Sequence, residues 1–175
     1  NISPVQLRDP WLPQKLLKLL LGSDFPPHRL DVEISEACLQ ENLGAVQTMI
    51  VSLKNLGVRV SLDDFGTGYA SFGFLRQFRF EKLKLDRSLV VQAGQDDGSR
   101  AMMLSSITVA RAMKMGVTAE GVETEEQADM VRAAGCDQIQ GWLYFKAMPS
   151  EEITQHLGKP IGLPLKTKDR ESKVA

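Results

Sequence analysis

The sequence predicts an α/β fold in which parallel strands are joined by helices, and a closed barrel suits it better than an open sheet. Five short β-like segments alternate with helical segments along the chain. Strands joined through a helix pair in parallel. Each strand candidate also carries polar residues on one face. Central strands of an open doubly wound sheet are usually apolar on both faces, so the polar faces favour the common interior of a TIM-type (β/α)8 barrel.

The individual elements follow from the spacing of apolar residues and from capping residues. Alternating patterns predict strands over residues 30–34, 58–62, 82–86, 117–120 and 138–140. Apolar residues at three- and four-residue spacing predict helices over residues 10–21, 42–56, 99–115 and 125–134. Thr124 and Gln127 form a capping box at the start of the last helix. Gly57, Gly116 and Gly135 are expected to be helix C-terminal caps.

Composition and charge restrict the class of function. The chain has 175 residues, 25% of them charged, and a net charge of −1, which is ordinary for a globular domain. This balance predicts no surface for a nucleic-acid polymer or an acidic membrane, although a nucleotide could bind through a metal ion. There is no apolar run near the ~20 residues that a membrane helix needs, and no signal peptide pattern. A cytoplasmic domain without membrane contact of its own is therefore expected.

The last part of the chain differs in composition from the rest. From residue 158 onward the sequence combines prolines and glycines with a charged end. Such composition is typical of a tail that becomes disordered toward its end. We therefore expect a barrel domain over residues 1–157 and a tail over residues 158–175.

Acidic residues collect at or near the carboxyl ends of the predicted strands. They are Glu33, Asp63, Asp64 and Glu120, and Lys84 lies among them. In a barrel the functional groups collect at this end. Carboxylate oxygens suit Mg²⁺ or Mn²⁺, and a cation relieves the repulsion between neighbouring carboxylates. Such a site favours attack of metal-activated water on a phosphate ester, with Lys84 stabilising the developing negative charge.

The same kinds of residue also have structural interpretations, which the sequence leaves open. Lys84 and Asp86 alternate on one strand and could form an ion pair. Glu36 and Glu123 could be helix-start acids that complement the helix dipole. Gln140 could simply form hydrogen bonds in the core. The metal-site hypothesis therefore depends on the whole set of acids at successive strand ends.

Short motifs then occur in order along nearly the whole chain to Pro149. They are Asn1-Ile2-Ser3-Pro4, Val32-Glu33-Ile34-Ser35-Glu36, Asp63-Asp64-Phe65-Gly66-Thr67-Gly68-Tyr69, Lys82-Leu83-Lys84-Leu85-Asp86-Arg87-Ser88, Ala119-Glu120-Gly121-Val122-Glu123-Thr124 and Gln140-Gly141-Trp142. This set resembles the EAL family of cyclic diguanylate (c-di-GMP) phosphodiesterases. The resemblance implies a TIM-type (β/α)8 barrel, of which the chain holds only the part from the third strand onward. The strand with the Glu-Ala-Leu motif, which carries a metal ligand in this family, is missing.

The resemblance implies a two-metal site that takes Mg²⁺ or Mn²⁺. By this comparison Asn1 and Glu33 are ligands of the first ion. Asp63 bridges the two ions, and Asp64 binds one of them. Glu120 serves the second ion or orients the attacking water.

The resemblance also implies roles for residues around the metals. Lys84 contacts the attacking water or the phosphate. Gln140 helps to hold the site, Glu36 anchors a mobile loop, and Glu123 supports the wall beside it. Asp86 belongs with these supporting or substrate-binding residues. The loop itself, which takes part in dimerisation in the family, is represented by Phe65, Gly66, Thr67, Gly68 and Tyr69.

The implied reaction is hydrolysis of one phosphodiester bond of c-di-GMP, which yields linear pGpG. The implied partners are a second copy of the chain, through the loop after Asp64, and sensory or diguanylate cyclase domains upstream. Membrane tethering through an upstream region is left open. The alternative is a non-catalytic c-di-GMP receptor or regulatory module, or an inactive fragment, because the first metal-ligand strand is missing.

Overall fold

Parallel strands and the helices between them form one compact unit, Asn1–Phe145, and a second unit begins at Lys146. The structure is a computed structural model that describes residues 1–40, 43–67 and 72–157. The described part of the second unit contains one helix. The predicted tail over residues 158–175 lies outside the described residues, so the predicted domain boundary stays a prediction.

The sheet has five strands, and they lie in the order in which they occur in the sequence. They are β1 (Asp31–Ser35), β2 (Arg59–Phe65), β3 (Lys82–Leu85), β4 (Gly116–Ala119) and β5 (Gln138–Ile139). Each strand pairs in parallel with the next. Ile2 forms a parallel bridge with Ile34 on the free side of β1. All five predicted strands are confirmed, with β2 running three residues past its predicted end at Leu62.

Helices connect the strands and cover one face of the sheet. The first unit contains α1 (Pro4–Leu7), α2 (Leu12–Gly22), α3 (Leu43–Asn55), α4 (Phe72–Phe78), α5 (Arg87–Ala93), α6 (Asp97–Ala112) and α7 (Glu125–Ala134), with 3₁₀ turns at Pro27–Arg29 and Glu36–Gln40. The second contains α8 (Ser150–His156). The four predicted helices are confirmed as α2, α3, α6 and α7. Among the described helices, none has the length and apolar character needed to cross a membrane.

Capping residues explain where several helices begin and end. The Thr124 hydroxyl accepts a hydrogen bond from Gln127 N, and the Gln127 side chain accepts one from Thr124 N, so the predicted capping box is confirmed. Gly57 and Gly135 have φ angles of 83° and 94°, the left-handed conformation that glycine adopts without strain. The prediction for Gly116 is wrong, because β4 begins there and the left-handed residue after α6 is Lys114.

The hydrophobic core lies between the helices and the apolar face of the sheet. Ile34, Leu62 and Leu83 point to this side and are fully buried. Ile50 of α3 and Met103 of α6 belong to the same buried cluster. Burying such a side chain contributes about 1.5–3 kcal/mol. The alternate residues of each strand therefore face the opposite side, and these are the polar residues that build the site.

Candidate active site

Lys84 is at the centre of the site. Its Nζ lies 2.7 Å from Glu33 Oε1, 2.8 Å from Glu120 Oε1 and 3.1 Å from Asp63 Oδ1. The lysine side chain is 6% exposed. Burial alone would lower the pKa of Lys84, but the hydrogen bonds that Lys84 donates to Glu120 and Glu33 outweigh burial and raise this pKa above its usual range. Lys84 is therefore a permanently charged ammonium surrounded by carboxylates.

The partners of Lys84 exclude the structural alternative in which it pairs with Asp86. Asp86 instead precedes α5 and caps it, because its carboxylate accepts a hydrogen bond from Ser88 N at 2.8 Å. The lysine is aimed at acids from β1 and β2 and at the residue that follows β4. Those acids come from strands distant in sequence that parallel pairing brings side by side.

An irregularity in β2 explains how two adjacent acids reach one site. In a regular strand Asp63 and Asp64 would point to opposite faces. The pairing of β2 with β3 shifts register between Leu62 and Phe65, and Asp64 has a φ of 56°. Aspartate enters this left-handed region more readily than most residues, yet such a backbone costs roughly 1–3 kcal/mol. The chain thus holds a strained backbone where its two carboxylates meet.

A cluster of three carboxylates lies beside Lys84. Asp63, Asp64 and Glu120 each offer an oxygen, and these oxygens lie within 4.8 Å of one another. Burial, and next the charge of Asp63, raise the pKa of Asp64. Burial also raises the pKa of Glu120, against the opposing hydrogen bond from Lys84. With Glu33, four carboxylates face one ammonium, so negative charge is in excess and an added cation would be favoured.

The side-chain amide of Asn1 also reaches the carboxylates of the site. One terminal atom of its amide lies 3.1 Å from Asp63 Oδ2 and 3.3 Å from Glu33 Oε2. Without a cation, this atom is the amide nitrogen, which donates to both carboxylates. With the amide turned over, its oxygen would converge with two carboxylate oxygens, which is a ligand set that Mg²⁺ or Mn²⁺ accepts. The residues present therefore fit a divalent cation.

Glu36 holds the start of the loop that follows β2. The Glu36 side chain is buried, and its Oε2 accepts a hydrogen bond from Gly66 N at 3.2 Å. This is the contact that the predicted anchoring role requires. Phe65, which was predicted to lie in the loop, is instead the buried last residue of β2. Gly68 and Tyr69 lie outside the described residues, and so does any dimer contact that they would make.

Two other predicted support residues lie around the site. Glu123 Oε1 accepts from Arg87 Nη2 at 2.9 Å. Gln140 is exposed, and its backbone N–H donates to Ala119 O at 2.9 Å. In residues 1–40, 43–67 and 72–157, no hydrogen bond joins the Gln140 side chain to the carboxylate cluster. The structure therefore places Gln140 near the strand ends without showing it in contact with the acids.

The sequence predicted no role for Gly121 and Gly141, which lie where the loop after β4 meets the turn after β5. We call this contact the wall beside Glu120. A Cβ on Gly121, whose φ is 62°, would lie 2.4 Å from the Arg87 side chain. A Cβ on Gly141 would lie 2.0 Å from Val122 O. The turn after β5 thus packs backbone against backbone on the loop after β4, and Val122 N donates to Gln140 O at 3.1 Å. A glycine directly after a strand is the signal that could have indicated this approach.

A second polar layer lies below the site on the same inner face of the sheet. Asp31 accepts a hydrogen bond from Ser61 Oγ at 2.5 Å and pairs with Lys82 Nζ at 3.1 Å. Thr118 Oγ1 donates to Gln138 Oε1 at 3.3 Å. We call these five residues the lower layer, and we call Glu33, Asp63, Lys84 and Glu120 the site layer. Two stacked polar layers confirm the predicted polar interior face.

Comparisons with known proteins identify the family of this chain. The family model described as "EAL domain" matches residues 1–147. "Cyclic di-GMP phosphodiesterase PdeR" of Escherichia coli is 35% identical over 150 residues, which are 86% of this chain and 23% of that protein. "Bifunctional diguanylate cyclase/cyclic di-GMP phosphodiesterase MucR" of Pseudomonas aeruginosa is 31% identical over 87% of this chain and 22% of that protein. The chain spans about a fifth of the length of the curated relatives it matches.

Solved structures show the same fold. "PaMucR Phosphodiesterase, c-di-GMP complex" is 31% identical, has a TM-score of 0.83, and covers 87% of this chain and 62% of that chain. A manganese and cyclic diguanylate complex of BlrP1 from Klebsiella pneumoniae, at pH 9.0, is 27% identical. It has a TM-score of 0.78 and covers 82% of this chain and 37% of that chain. The predicted fold class, α/β with part of a TIM-type (β/α)8 barrel, is confirmed.

Proposed function

Because the chain belongs to the EAL domain family, we propose that it is the catalytic part of a metal-dependent phosphodiesterase. Its substrate is c-di-GMP, and its product is linear pGpG. The observation that carries the proposal is the placement of Lys84 Nζ within 3.1 Å of carboxylates from three different strand ends. The phosphodiesterase activity named for PdeR and for MucR supports the choice of substrate.

The carboxylates would hold two divalent ions, Mg²⁺ or Mn²⁺. Asn1, Glu33 and Asp63 would hold one ion, and Asp63, Asp64 and Glu120 would hold the other. When bound, such ions would lower the pKa of the attacking water and neutralise charge on the phosphate. The manganese named for the BlrP1 complex supports this choice of metal.

Side chains of this chain would orient the attacking water and stabilise the charge that develops during the reaction. Water attacks phosphorus, one P–O bond to the ribose breaks, and the departing oxygen gains a proton. Lys84 stays protonated, so its role is to stabilise the negative charge that develops on the phosphate oxygens. Glu120 would be the carboxylate that orients the water and accepts its proton, because its oxygen lies beside those of Asp63 and Asp64, where that water would be held.

Partners outside the described residues belong to the same proposal. A homodimer through the loop after Asp64 and upstream sensory or diguanylate cyclase domains would complete the protein. The bifunctional description of MucR supports the upstream cyclase. A cytoplasmic location also stays a prediction.

The test is hydrolysis by the full-length protein. We would incubate it with c-di-GMP and Mg²⁺ or Mn²⁺ and follow pGpG by chromatography, with a chelator control and the Asp63→Asn variant. We expect pGpG formation that the chelator and the substitution both abolish. Tight c-di-GMP binding without product would instead indicate the receptor alternative. Turnover that persists in the chelator would contradict the metal-dependent mechanism.

A further inference from the structure

The two oxygens of Glu33, and likewise those of Asp63, have different partners. Lys84 Nζ contacts Glu33 Oε1 and Asp63 Oδ1, at 2.7 Å and 3.1 Å. The Asn1 amide faces the other two oxygens, Glu33 Oε2 and Asp63 Oδ2, at 3.3 Å and 3.1 Å. The ammonium thus takes one side of each carboxylate and leaves the other side directed toward Asn1.

We propose that Lys84 is an internal counter-ion that holds the acidic site together before any divalent ion binds, and that it positions Glu33 and Asp63 with one oxygen of each turned away from the ammonium, on the Asn1 side where a divalent ion would bind. The proposal rests on the proposed function only in requiring that the site takes divalent ions. In this role Lys84 is a positioning residue, in addition to its action on the phosphate. Lys84 would remain in place when an ion binds on the Asn1 side, because the oxygens on that side are not the ones that Lys84 contacts.

The physical reason is the cost of unpaired charge in a buried site. The Lys84 side chain is 6% exposed, and those of Glu120 and Asp63 are 16% and 12% exposed. Neighbouring carboxylates with so little exposure to water repel one another strongly unless a cation lies between them. Removing one partner of a buried ion network leaves the other charges uncompensated, which is far more destabilising than losing a surface pair.

The test compares Lys84→Met with Lys82→Met in the full-length protein. Lys82 is a matched control because it lies on the same strand and the same inner face, but it pairs with Asp31 and is 25% exposed. The measurement is the midpoint of thermal unfolding of the transition that contains this domain, in chelator and then with Mn²⁺. In chelator we expect Lys84→Met to lower the midpoint by several degrees more than Lys82→Met does.

Manganese should reverse most of this deficit. A divalent ion supplies positive charge to the same carboxylates, so the midpoint of Lys84→Met should rise more on adding Mn²⁺ than that of the unchanged protein. Lys84→Arg, which keeps the charge, should lie closer to the unchanged protein in chelator. Equal losses for Lys84→Met and Lys82→Met in chelator, or a Lys84→Met deficit that Mn²⁺ leaves unchanged, would overturn the proposal.

A double variant keeps the test decisive where Lys84→Met alone does not fold. Lys84→Met with Glu120→Gln removes the ammonium and one of the carboxylates that it neutralises. The double variant should therefore regain folded protein and part of the lost midpoint. A double variant no more stable than Lys84→Met would overturn the proposal. Because unfolding is measured without substrate, this result does not depend on whether c-di-GMP is hydrolysed.

Discussion

The site layer and the lower layer are built on the same strands, two residues apart, yet their charges are arranged in opposite ways. In the lower layer one carboxylate, Asp31, meets one ammonium, Lys82, and a serine hydroxyl. In the site layer one ammonium, Lys84, meets carboxylates of Glu33, Asp63 and Glu120. The lower layer is balanced without any ligand, whereas the site layer is balanced only when cations are added.

This difference separates an acid that the fold already neutralises from acids that the fold leaves in excess. A one-to-one pair on the inner face satisfies its own hydrogen bonds and leaves nothing for a substrate. An excess of carboxylates raises the electrostatic energy of the folded protein, and an added cation would lower it. The strained backbone at Asp64 occurs in the site region and not in the lower layer. Three predictions test this contrast and a fourth tests the packing beside Glu120, beginning with the largest effect.

Removing one acid from each layer should separate their roles in catalysis. Asp63→Asn should reduce c-di-GMP hydrolysis about 100-fold or more, because even an outer partner of a metal ligand contributes 10–100-fold. Asp31→Asn, in the lower layer, should keep most of the turnover. Initial rates of pGpG formation at saturating Mn²⁺ provide the measurement. Comparable losses in both variants would remove the functional distinction between the layers.

The wall beside Glu120 should tolerate no added side chain. Gly141→Ala would place a Cβ 2.0 Å from Val122 O, so we expect a loss of about 1–3 kcal/mol or more in the free energy of unfolding. Gly22→Ala is the control, because a Cβ there has no neighbour within 4 Å. That change should alter stability by less than about 1 kcal/mol. Chemical denaturation measures the free energy of unfolding of both variants. Equal values would show that the backbone around Gly141 and Val122 moves apart at little cost.

Neutralising an acid should have opposite effects on stability in the two regions. Asp64→Asn should stabilise the chelated protein by a few tenths to about 1 kcal/mol, since asparagine tolerates the left-handed backbone and removes repulsion with Asp63. The same variant should lose hydrolysis. Asp31→Asn should destabilise by about 0.5–1 kcal/mol, because Lys82 loses its partner. Urea unfolding in chelator measures both, and the same sign in both variants would contradict the contrast.

The gain in stability that Asp64→Asn brings should also depend on pH, and this is the smallest of the expected effects. Because the pKa of Asp64 is raised in the folded state from its ordinary 3.8, the folded protein holds this proton more tightly than the unfolded chain does. Its contribution to stability is therefore greatest below about pH 3.8 and is lost as pH rises through the folded-state pKa. The stability advantage of Asp64→Asn should accordingly grow between about pH 4 and about pH 7. Urea midpoints in chelator across this range would show it, and a constant difference would mean that Asp64 titrates normally.

Local patterns in the sequence were sufficient for much of the fold. The alternation in β2, where Val60 and Leu62 are buried in the core and Ser61 and Asp63 face the interior, predicts both the strand and its two faces. The capping box at Thr124 likewise predicts where α7 begins. Helices α4 and α5 were not predicted, because seven residues give fewer than two full repeats of the apolar pattern.

By itself, the sequence determined which residues face the interior and which acids lie at strand ends, because side-chain direction in a strand follows from position alone. Only the tertiary structure decided which charged side chains form ion pairs with one another. Lys84 could have paired with Asp86 two residues away, but sheet register gave it Glu33, Asp63 and Glu120 instead. The register shift in β2 likewise gave Asp63 and Asp64 a common site. Such choices depend on distant strands lying side by side, and no short stretch of sequence contains that information.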